Sequence, residues 1–530
     1  MDVTAETLVE TMTRPSFYPH HPFSVDLVQT HISYIFLAGE YVYKVKKPVD
    51  FGFLDFTTLE KRRHFCGEEL RLNQRLAPQL YLDVVSITRS ARGGLELAGP
   101  GAPVEYAVKM RRLPEERMLK RLLAQGKAEP AVMDAVAGTL AAFHAAAATG
   151  GEVDAIGGVE AVIANWDENF VQTGPFVGRT ISAADHAFLR DYVSGFVRRR
   201  RKLLESRVAK HRVRDCHGDV HLEHVCVLDD GIAIFDCIEF NQRFRYSDVA
   251  SEVAFLAMDL DFNGYQGLAE RFVHAYQMAS GDEELGLLVL FYKCYRAYVR
   301  GKVIGFRLDD PAIDATAKEQ AASAAGRYFQ LARGYAARFE EPTLVLMCGL
   351  MGAGKSVLAA ALAREVGAEQ IRTDVVRKEL HRIDPSEHRF EEFGRGIYSP
   401  EVSRRTYQKA LDLAAELLRA GASVIIDGSY QRREERQGAA RTAQTLGAAF
   451  IVIECTCPED IVRQRLDARL TQVGEASDGR WELFNEQKVA FEPVEEVAPG
   501  RHLRIDCARP ANESLSETLR ALTAMAHDPE

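Results

Sequence analysis

The sequence predicts two fold classes in series: an α+β first half of two lobes, then an α/β second half built on a parallel sheet. Three observations predict it. Up to about residue 112, short runs rich in β-branched and aromatic residues dominate. Beyond Pro114 the pattern turns mainly helical. From Thr343 an apolar run, a glycine-rich loop and a run of helix formers follow one another, and further apolar runs alternate with helices after them. A chain of 530 residues has room for two to four domains with ample core.

In chain order, residues 1–24 read as an N-terminal extension. His31–Leu37 and Tyr41–Lys46 are β-rich runs separated by Ala38-Gly39-Glu40, a short hairpin signal. Leu59–Leu76 is a highly charged helix, and Tyr81–Arg89 and Val104–Met110 are further strands. These elements form a β-rich lobe over 25–112. The helical lobe spans 113–335; its alanine-rich Ala135–Ala148 is a good helix, and Val225–Leu228 with Ile232–Phe235 is a strand pair inside it. The first domain gives way near Arg333–Pro342, and the second occupies 342–530.

Two acidic positions mark the helical lobe. Asp219 lies in Asp215-Cys216-His217-Gly218-Asp219-Val220-His221-Leu222-Glu223-His224, and Asp236 lies in Ile234-Phe235-Asp236-Cys237-Ile238-Glu239-Phe240. These motifs resemble the aminoglycoside phosphotransferase family, with its H-G-D-x-H-x-x-N loop and a later Asp at a strand end. That family shares the protein-kinase plan, so the resemblance, which covers 25–333, implies an α+β kinase-like two-lobed domain. It implies that Asp219 positions and deprotonates an acceptor hydroxyl and that Asp236 binds Mg²⁺. It further implies that Lys44 holds the α/β-phosphates of ATP, that Glu69, or its neighbour Glu68, pairs with Lys44, and that Met110–Leu113 receives adenine. His224 stands where the family has Asn. Imidazole offers nitrogen, which suits zinc or manganese better than magnesium, so the metal role of His224 carries a changed donor. This departure keeps a regulatory pseudokinase open beside an active transferase. His217 and His221 are expected to pack and to bond the backbone. Asp259, Asp261 and Glu252 are the candidates for an acidic acceptor cleft.

The second half carries the most specific motif, Gly349-Leu350-Met351-Gly352-Ala353-Gly354-Lys355-Ser356, a complete G-x-x-x-x-G-K-S loop. Apolar Thr343–Cys348 precedes it and helix-forming Val357–Arg364 follows. Gly349, Gly352, Ala353 and Gly354 let backbone N–H groups wrap phosphate oxygens, and the helix opening at Val357 points its positive end at them. Lys355 reaches the β- and γ-phosphates and Ser356 holds Mg²⁺. Next comes Ile371-Arg372-Thr373-Asp374-Val375-Val376-Arg377, read as a strand ending in Asp with Arg three residues on. That pattern resembles the small P-loop kinases of the polynucleotide 5′-kinase, zeta-toxin and gluconate-kinase group, over roughly 343–510. The resemblance implies an α/β P-loop NTPase domain with a parallel sheet in which Asp374 activates the acceptor hydroxyl and Arg377 holds the acceptor. Ala422–Gly428 is an apolar strand ending in Asp427, a candidate Mg²⁺ carboxylate, and Phe450–Cys455 is another strand. Pro458–Arg469 reads as a helix carrying Arg463, Arg465 and Arg469, an arginine-bearing lid of the kind phosphoryl transfer needs.

Composition narrows the partners. Net charge is −10, shared by both halves, which counts against a nucleic-acid coat. Nine scattered cysteines suggest free thiols in a reducing cytoplasm. No run of about 18 apolar residues and no basic stretch with an apolar sequel is found, so neither a membrane span nor a secretory leader is expected. The expected function is ATP- and Mg²⁺-dependent transfer of the γ-phosphoryl to small-molecule hydroxyls by two kinase-type domains. The alternatives are a catalytic P-loop domain regulated by a pseudokinase, a 5′-hydroxyl polynucleotide kinase or repair factor, and, last, a P-loop ATPase scaffold. The sequence leaves the oligomeric state and both acceptors open.

Overall fold

The computed structural model describes residues 4–90, 93–311, 313–384, 387, 394–469 and 479–525. The chain divides into two compact units: Met1–Ser182 with Phe196–Ala332, and Ala183–Gly195 with Arg333–Glu530.

The first unit opens with a helix, Ala5–Met12, and six strands: β1 (Val25–Gln29), β2 (Ser33–Ala38), β3 (Tyr41–Lys46), β4 (Tyr81–Arg89), β5 (Leu95–Leu97) and β6 (Pro103–Arg111). They form one antiparallel sheet in the order β1-β2-β3-β6-β4-β5. The β2–β3 register pairs Ala38 with Tyr41, so the expected hairpin turns on Gly39 and Glu40 alone. The segment before β1 is not a loose extension. Leu8, Met12 and Tyr18 are buried against Phe36, Tyr43, Val45 and Ile87, so it covers one face of the sheet. The helix Leu59–Asn73 contributes Cys66 to a second cluster with Tyr81 and Val108.

The rest of the unit is mainly helical, with two short ribbons. β7 (Val213–Asp215) pairs with β10 (Tyr246–Asp248), and β8 (Val225–Leu228) pairs with β9 (Gly231–Ile234). The first ribbon leads into the His217–His224 loop and the second into Asp236, so together they set the two acidic positions. Helix Val249–Phe262 is buried on nearly every face, from Val249 through Leu260, as a helix at the centre of a lobe must be. Arg207 is fully buried and anchors β10: it donates to Asp248 at 2.7 and 2.8 Å and also pairs with Asp282.

The second unit is a five-stranded parallel sheet of β11 (Thr343–Cys348), β12 (Glu369–Arg372), β13 (Val424–Asp427), β14 (Ala449–Thr456) and β15 (His502–Asp506), in the order β12-β13-β11-β14-β15. β11 lies at its centre, and all six of its residues are buried, which is why it reads as a continuous apolar run. Alternate residues feed opposite cores. Leu344, Leu346 and Cys348 join Tyr407, Ala410 and Ala414 of helix Pro400–Arg419; Val345 and Met347 join Leu358, Ala359 and Leu362 of helix Lys355–Val366. The sheet is thus covered on both faces. Residues 183–195 belong to this unit although their sequence lies far upstream, and Phe188 packs into its second core.

Candidate active sites

In the first unit, Asp219 sits in a loop clamped from behind. Gly218 has φ 90°, and a Cβ there would lie 2.8 Å from the Phe244 carbonyl oxygen, so the position demands glycine. The Gly218 N–H donates to Glu252 at 2.5 Å and the His217 N–H at 3.1 Å, while Arg296 donates to the Gly218 carbonyl at 3.1 Å. Glu252 also meets His144 at 2.7 Å. Burial pushes its carboxyl up, but His144 and the loop N–H of Gly218 act together with the other neighbours to hold it at about 2. Asp259 accepts from the Leu222 N–H at 2.9 Å, and Asp261 pairs with Lys293 at 2.9 Å. The three acids expected to line an acceptor cleft are therefore committed to internal bonds. That expectation is corrected: their low dielectric surroundings require partners, and the loop supplies them.

Across the cleft, Lys44 and Lys46 project from the same face of β3, two residues apart. Lys44 Nζ lies 2.8 Å from Glu69 and 2.6 Å from Asp236. Lys46 Nζ lies 2.6 Å from the other Glu69 oxygen and also bonds Glu239. Burial lowers the Lys44 pKa, but Asp236 and Glu69 raise it well above the usual lysine range. Asp236 has φ 64°, a left-handed conformation unusual for a side-chain-bearing residue, and its N–H is held by the Tyr81 hydroxyl at 3.1 Å. Partial burial raises the carboxyl pKa of Asp236, yet the Lys44 ammonium holds it far below the usual range.

His224 lies between the two acids. Its Nδ1 is 2.9 Å from the Asp219 carbonyl oxygen, an acceptor only, so Nδ1 carries the proton. The bare Nε2 then faces Asp236 Oδ2 at 3.6 Å. A hydrogen bond that fixes the tautomer in this way presents a lone pair for a metal. His221 is turned the other way: its Nδ1 accepts from the Glu223 N–H at 3.3 Å, which leaves Nε2–H toward Asp219 Oδ2 at 3.6 Å. So His221 does bond the backbone, and it also steadies Asp219. Two ammonium groups here face three carboxylates, those of Glu69, Asp236 and Glu239, and a fourth, Asp219, meets only the imidazoles of His221 and His224 among the contacts described. The surplus of negative charge fits a divalent cation, but the imidazole nitrogen fits magnesium poorly.

The second unit gathers its predicted residues around one cavity of about 290 Å³. Gly352, Gly354, Lys355, Ser356, Asp374, Arg377 and Asp427 all line it. Gly349 has φ 128°, and a Cβ there would lie 2.4 Å from the Cys455 carbonyl oxygen, so only glycine lets the loop pass β14. Lys355 Nζ donates to the Gly349 and Leu350 carbonyls at 3.0 and 2.8 Å, which holds the ammonium inside the loop. Gly349, Ala353 and Val357 complete the loop and the helix start without lining the cavity; the Val357 side chain is 54% exposed. Asp427 ends β13 beside β11, as expected. Burial raises its pKa, while the Ser356 hydroxyl and Lys355 pull it down. A hydroxyl and a carboxylate in contact are hard oxygen donors, which fits magnesium.

Two expectations for this unit change. β12 ends at Arg372, and Asp374 lies in the first turn of helix Thr373–Leu380, not at a strand end. The helix starts early because Thr373 is drawn in by its hydroxyl, which donates to the Asp427 carbonyl at 3.0 Å. Arg377 is 4% exposed, with one nitrogen bonded to the Ile397 carbonyl at 2.9 Å and to Ser403 Oγ at 3.1 Å. It is a fixed wall of the cavity, one turn beyond Asp374. Arg465 donates to the Cys507 carbonyl at 2.7 Å and lies 3.3 Å from where a Gly354 Cβ would stand, so it backs the loop. Arg463 stacks over Trp481. Arg469 closes helix Glu459–Arg469, and its side chain lies outside the described residues.

Sequence reading passed over Lys46, Glu239 and the clamp of Glu252 and Arg296. The spacing of Lys44 and Lys46 was a usable signal for the first, since period two puts both on one face. The clamp had none, because it joins residues far apart in the chain.

Two kinase-like constellations on two such folds define a phosphotransferase of the kinase type. Residues 59–288 match the Phosphotransferase enzyme family and residues 344–494 match the family described as AAA domain. Over 448 residues the chain is 34% identical to the uncharacterized protein Rv2004c of Mycobacterium tuberculosis H37Rv, spanning 84% of this chain and 86% of that one. The chain belongs to that family. Among solved structures it is similar to a gluconokinase from Sinorhizobium meliloti 1021 (21% identity, 36% of this chain and 95% of that one, TM-score 0.25). It is also similar to a choline/ethanolamine kinase family protein from Mesorhizobium loti (13% identity, 62% of this chain and 99% of that one, TM-score 0.36). Among the described residues no helix is long and apolar enough to cross a membrane.

Proposed function

We propose that the second unit transfers the γ-phosphoryl of ATP to a small-molecule hydroxyl. The observation that carries this reading is a single cavity shared by Lys355, Ser356, Asp427, Asp374 and Arg377. Asp374 accepts the hydroxyl proton, Arg377 holds the acceptor, and Lys355 neutralises charge between the β- and γ-phosphates. Ser356 and Asp427 hold the magnesium ion, which when bound spreads that charge further. The first unit is read as a second transferase in which Lys44 and Glu69 hold nucleotide and Asp219 serves as base. His224 is the observation that favours a second reading, a nucleotide-binding regulator in place of a second catalyst. The acidic balance of the chain speaks against a polynucleotide acceptor. All nine cysteines are free thiols, which supports a cytoplasmic setting.

The test is ADP release from the full chain with ATP and a panel of hydroxyl compounds. Lys355→Ala removes one preorganised charge and lowers turnover by the second unit by about 10²–10³-fold. Asp219→Asn removes the share of the first unit. Full turnover in the double variant overturns the proposal. Complete loss in Lys355→Ala alone selects the regulatory reading of the first unit.

A further inference from the structure

The Leu350–Met351 peptide of the phosphate loop is gripped at both of its polar atoms. Lys355 Nζ donates to the Leu350 carbonyl at 2.8 Å, and the Met351 N–H donates to Gln487 Oε1 at 2.7 Å. Lys355 and Gln487 both line the cavity that also holds Ser356, Asp374 and Asp427.

The second grip fixes which way the Gln487 carboxamide faces. A backbone N–H is a donor only, so its partner has to be the amide oxygen. The planar carboxamide then carries its NH₂ group on the side away from the loop backbone. That nitrogen has no hydrogen-bond partner among the described residues. Gln487 is 5% exposed and sits on the cavity wall, so its two N–H donors are largely withheld from bulk water and are offered to what enters the cavity. The support beneath it is packed. Phe484, one turn earlier on the same side of helix Phe484–Ala490, is 1% exposed and clusters with Val462 and Leu466. Leu350, Met351 and Trp481 join that cluster, and Trp481 stacks on Phe484 with ring centroids 5.0 Å apart. Loop tip and carboxamide therefore belong to one packed body, which is the condition for a preorganised donor.

We propose that Gln487 is a further catalytic residue of the second unit: its oxygen holds the phosphate loop, and its amide N–H groups donate to the γ-phosphoryl oxygens. This rests on the phosphotransferase reading of that unit and adds a donor to it. In the transfer the acceptor oxygen bonds to the γ-phosphorus, and the bond from that phosphorus to the β,γ-bridging oxygen breaks with its electron pair leaving on ADP. The acceptor proton passes to Asp374, and Gln487 exchanges no atom. Lys355 brings charge to the bridge between the β- and γ-phosphates; the carboxamide brings directed donors and no charge, so it senses the γ position alone.

The test uses the full chain carrying Lys44→Met, so that the second unit is the nucleotide site being read, with Mg²⁺ at about pH 8, where glutamate is ionised. Calorimetry compares ADP with β,γ-imido-ATP, a non-transferable analogue that carries the γ position. Gln487→Leu removes both polar atoms. Gln487→Glu keeps an oxygen for the Met351 N–H and replaces the NH₂ with a charged oxygen. Both variants should bind the analogue about tenfold or more weakly than the parent, the value of a hydrogen bond to a charged group. Gln487→Glu should bind ADP as the parent does. A tether with no role at the phosphoryl group predicts otherwise, since glutamate would then restore analogue binding. Parent-like analogue affinity in either variant overturns the proposal. If Gln487→Leu loses ADP as well, the loop itself has been lost, and the glutamate variant decides by the same criterion. A parent that binds neither nucleotide overturns the phosphotransferase reading, and the proposal with it.

Discussion

Two lysines on one strand carry opposite duties, and replacing each in turn separates fold from function. Lys46 is 1% exposed, bonds Glu69 at 2.6 Å and Glu239, and lies 4.8 Å over the Phe56 ring. Lys46→Met leaves Glu239 without its cation and strips one of two from Glu69, inside the protein. Breaking a buried pair from one side costs about 3–5 kcal/mol. At about 2–4 °C per kcal/mol for a unit of this size, the first unit should unfold roughly 6–20 °C earlier. Lys44 differs. Its partner Asp236 has a side chain 42% accessible and can rehydrate, and Glu69 keeps Lys46. Lys44→Met should cost about 1.5–3 kcal/mol, the value of a hydrogen bond to a charged group, while nucleotide binding by the first unit is lost. Scanning calorimetry, with nucleotide titration in a Lys355→Ala background, reads both quantities. If Lys46→Met melts no earlier than Lys44→Met, the division of labour drawn from these distances is refuted.

Asp374→Asn should leave nucleotide affinity intact and cut acceptor-dependent turnover by about 10²-fold or more, since it removes a general base; normal transfer at saturating ATP in this variant would contradict its role. His224→Asn replaces a nitrogen donor with an oxygen donor, so the ratio of Mn²⁺ to Mg²⁺ affinity in the first unit should fall, measured by manganese resonance titration with magnesium competition in Lys355→Ala protein. An unchanged ratio would place His224 away from the metal. Glu252 has a native pKa of about 2 against an ordinary 4.5. A depressed acid stabilises the fold above its unfolded value and loses that contribution as pH falls toward the native one. The first unit should therefore lose roughly 3 kcal/mol between pH 4.5 and 2 through this group, and urea midpoints of Glu252→Gln should show a shallower acid slope there.

The phosphate loop was legible because its chemistry is local. Gly349 through Ser356 must sit between a strand and a helix, and the apolar run Thr343–Cys348 announces the central strand by itself. The two acidic motifs of the first unit were legible for the same reason, each being a short string after a short strand. Other features were settled only by tertiary structure. The segment 1–24 reads only as an extension, because its few apolar residues have no visible partner until the sheet folds beneath them. Residues 183–195 join the second unit through Phe188, a contact no sequence spacing announces. Asp374 moved from strand to helix because a single hydroxyl, that of Thr373, reaches across to β13. Asp259, Asp261 and Glu252 read as free acids, yet burial obliges each to find a partner, and those partners lie 32 to 108 residues away along the chain. Local covalent pattern fixes what a residue can do; the long-range pairing of buried charge decides which residues are free to do it.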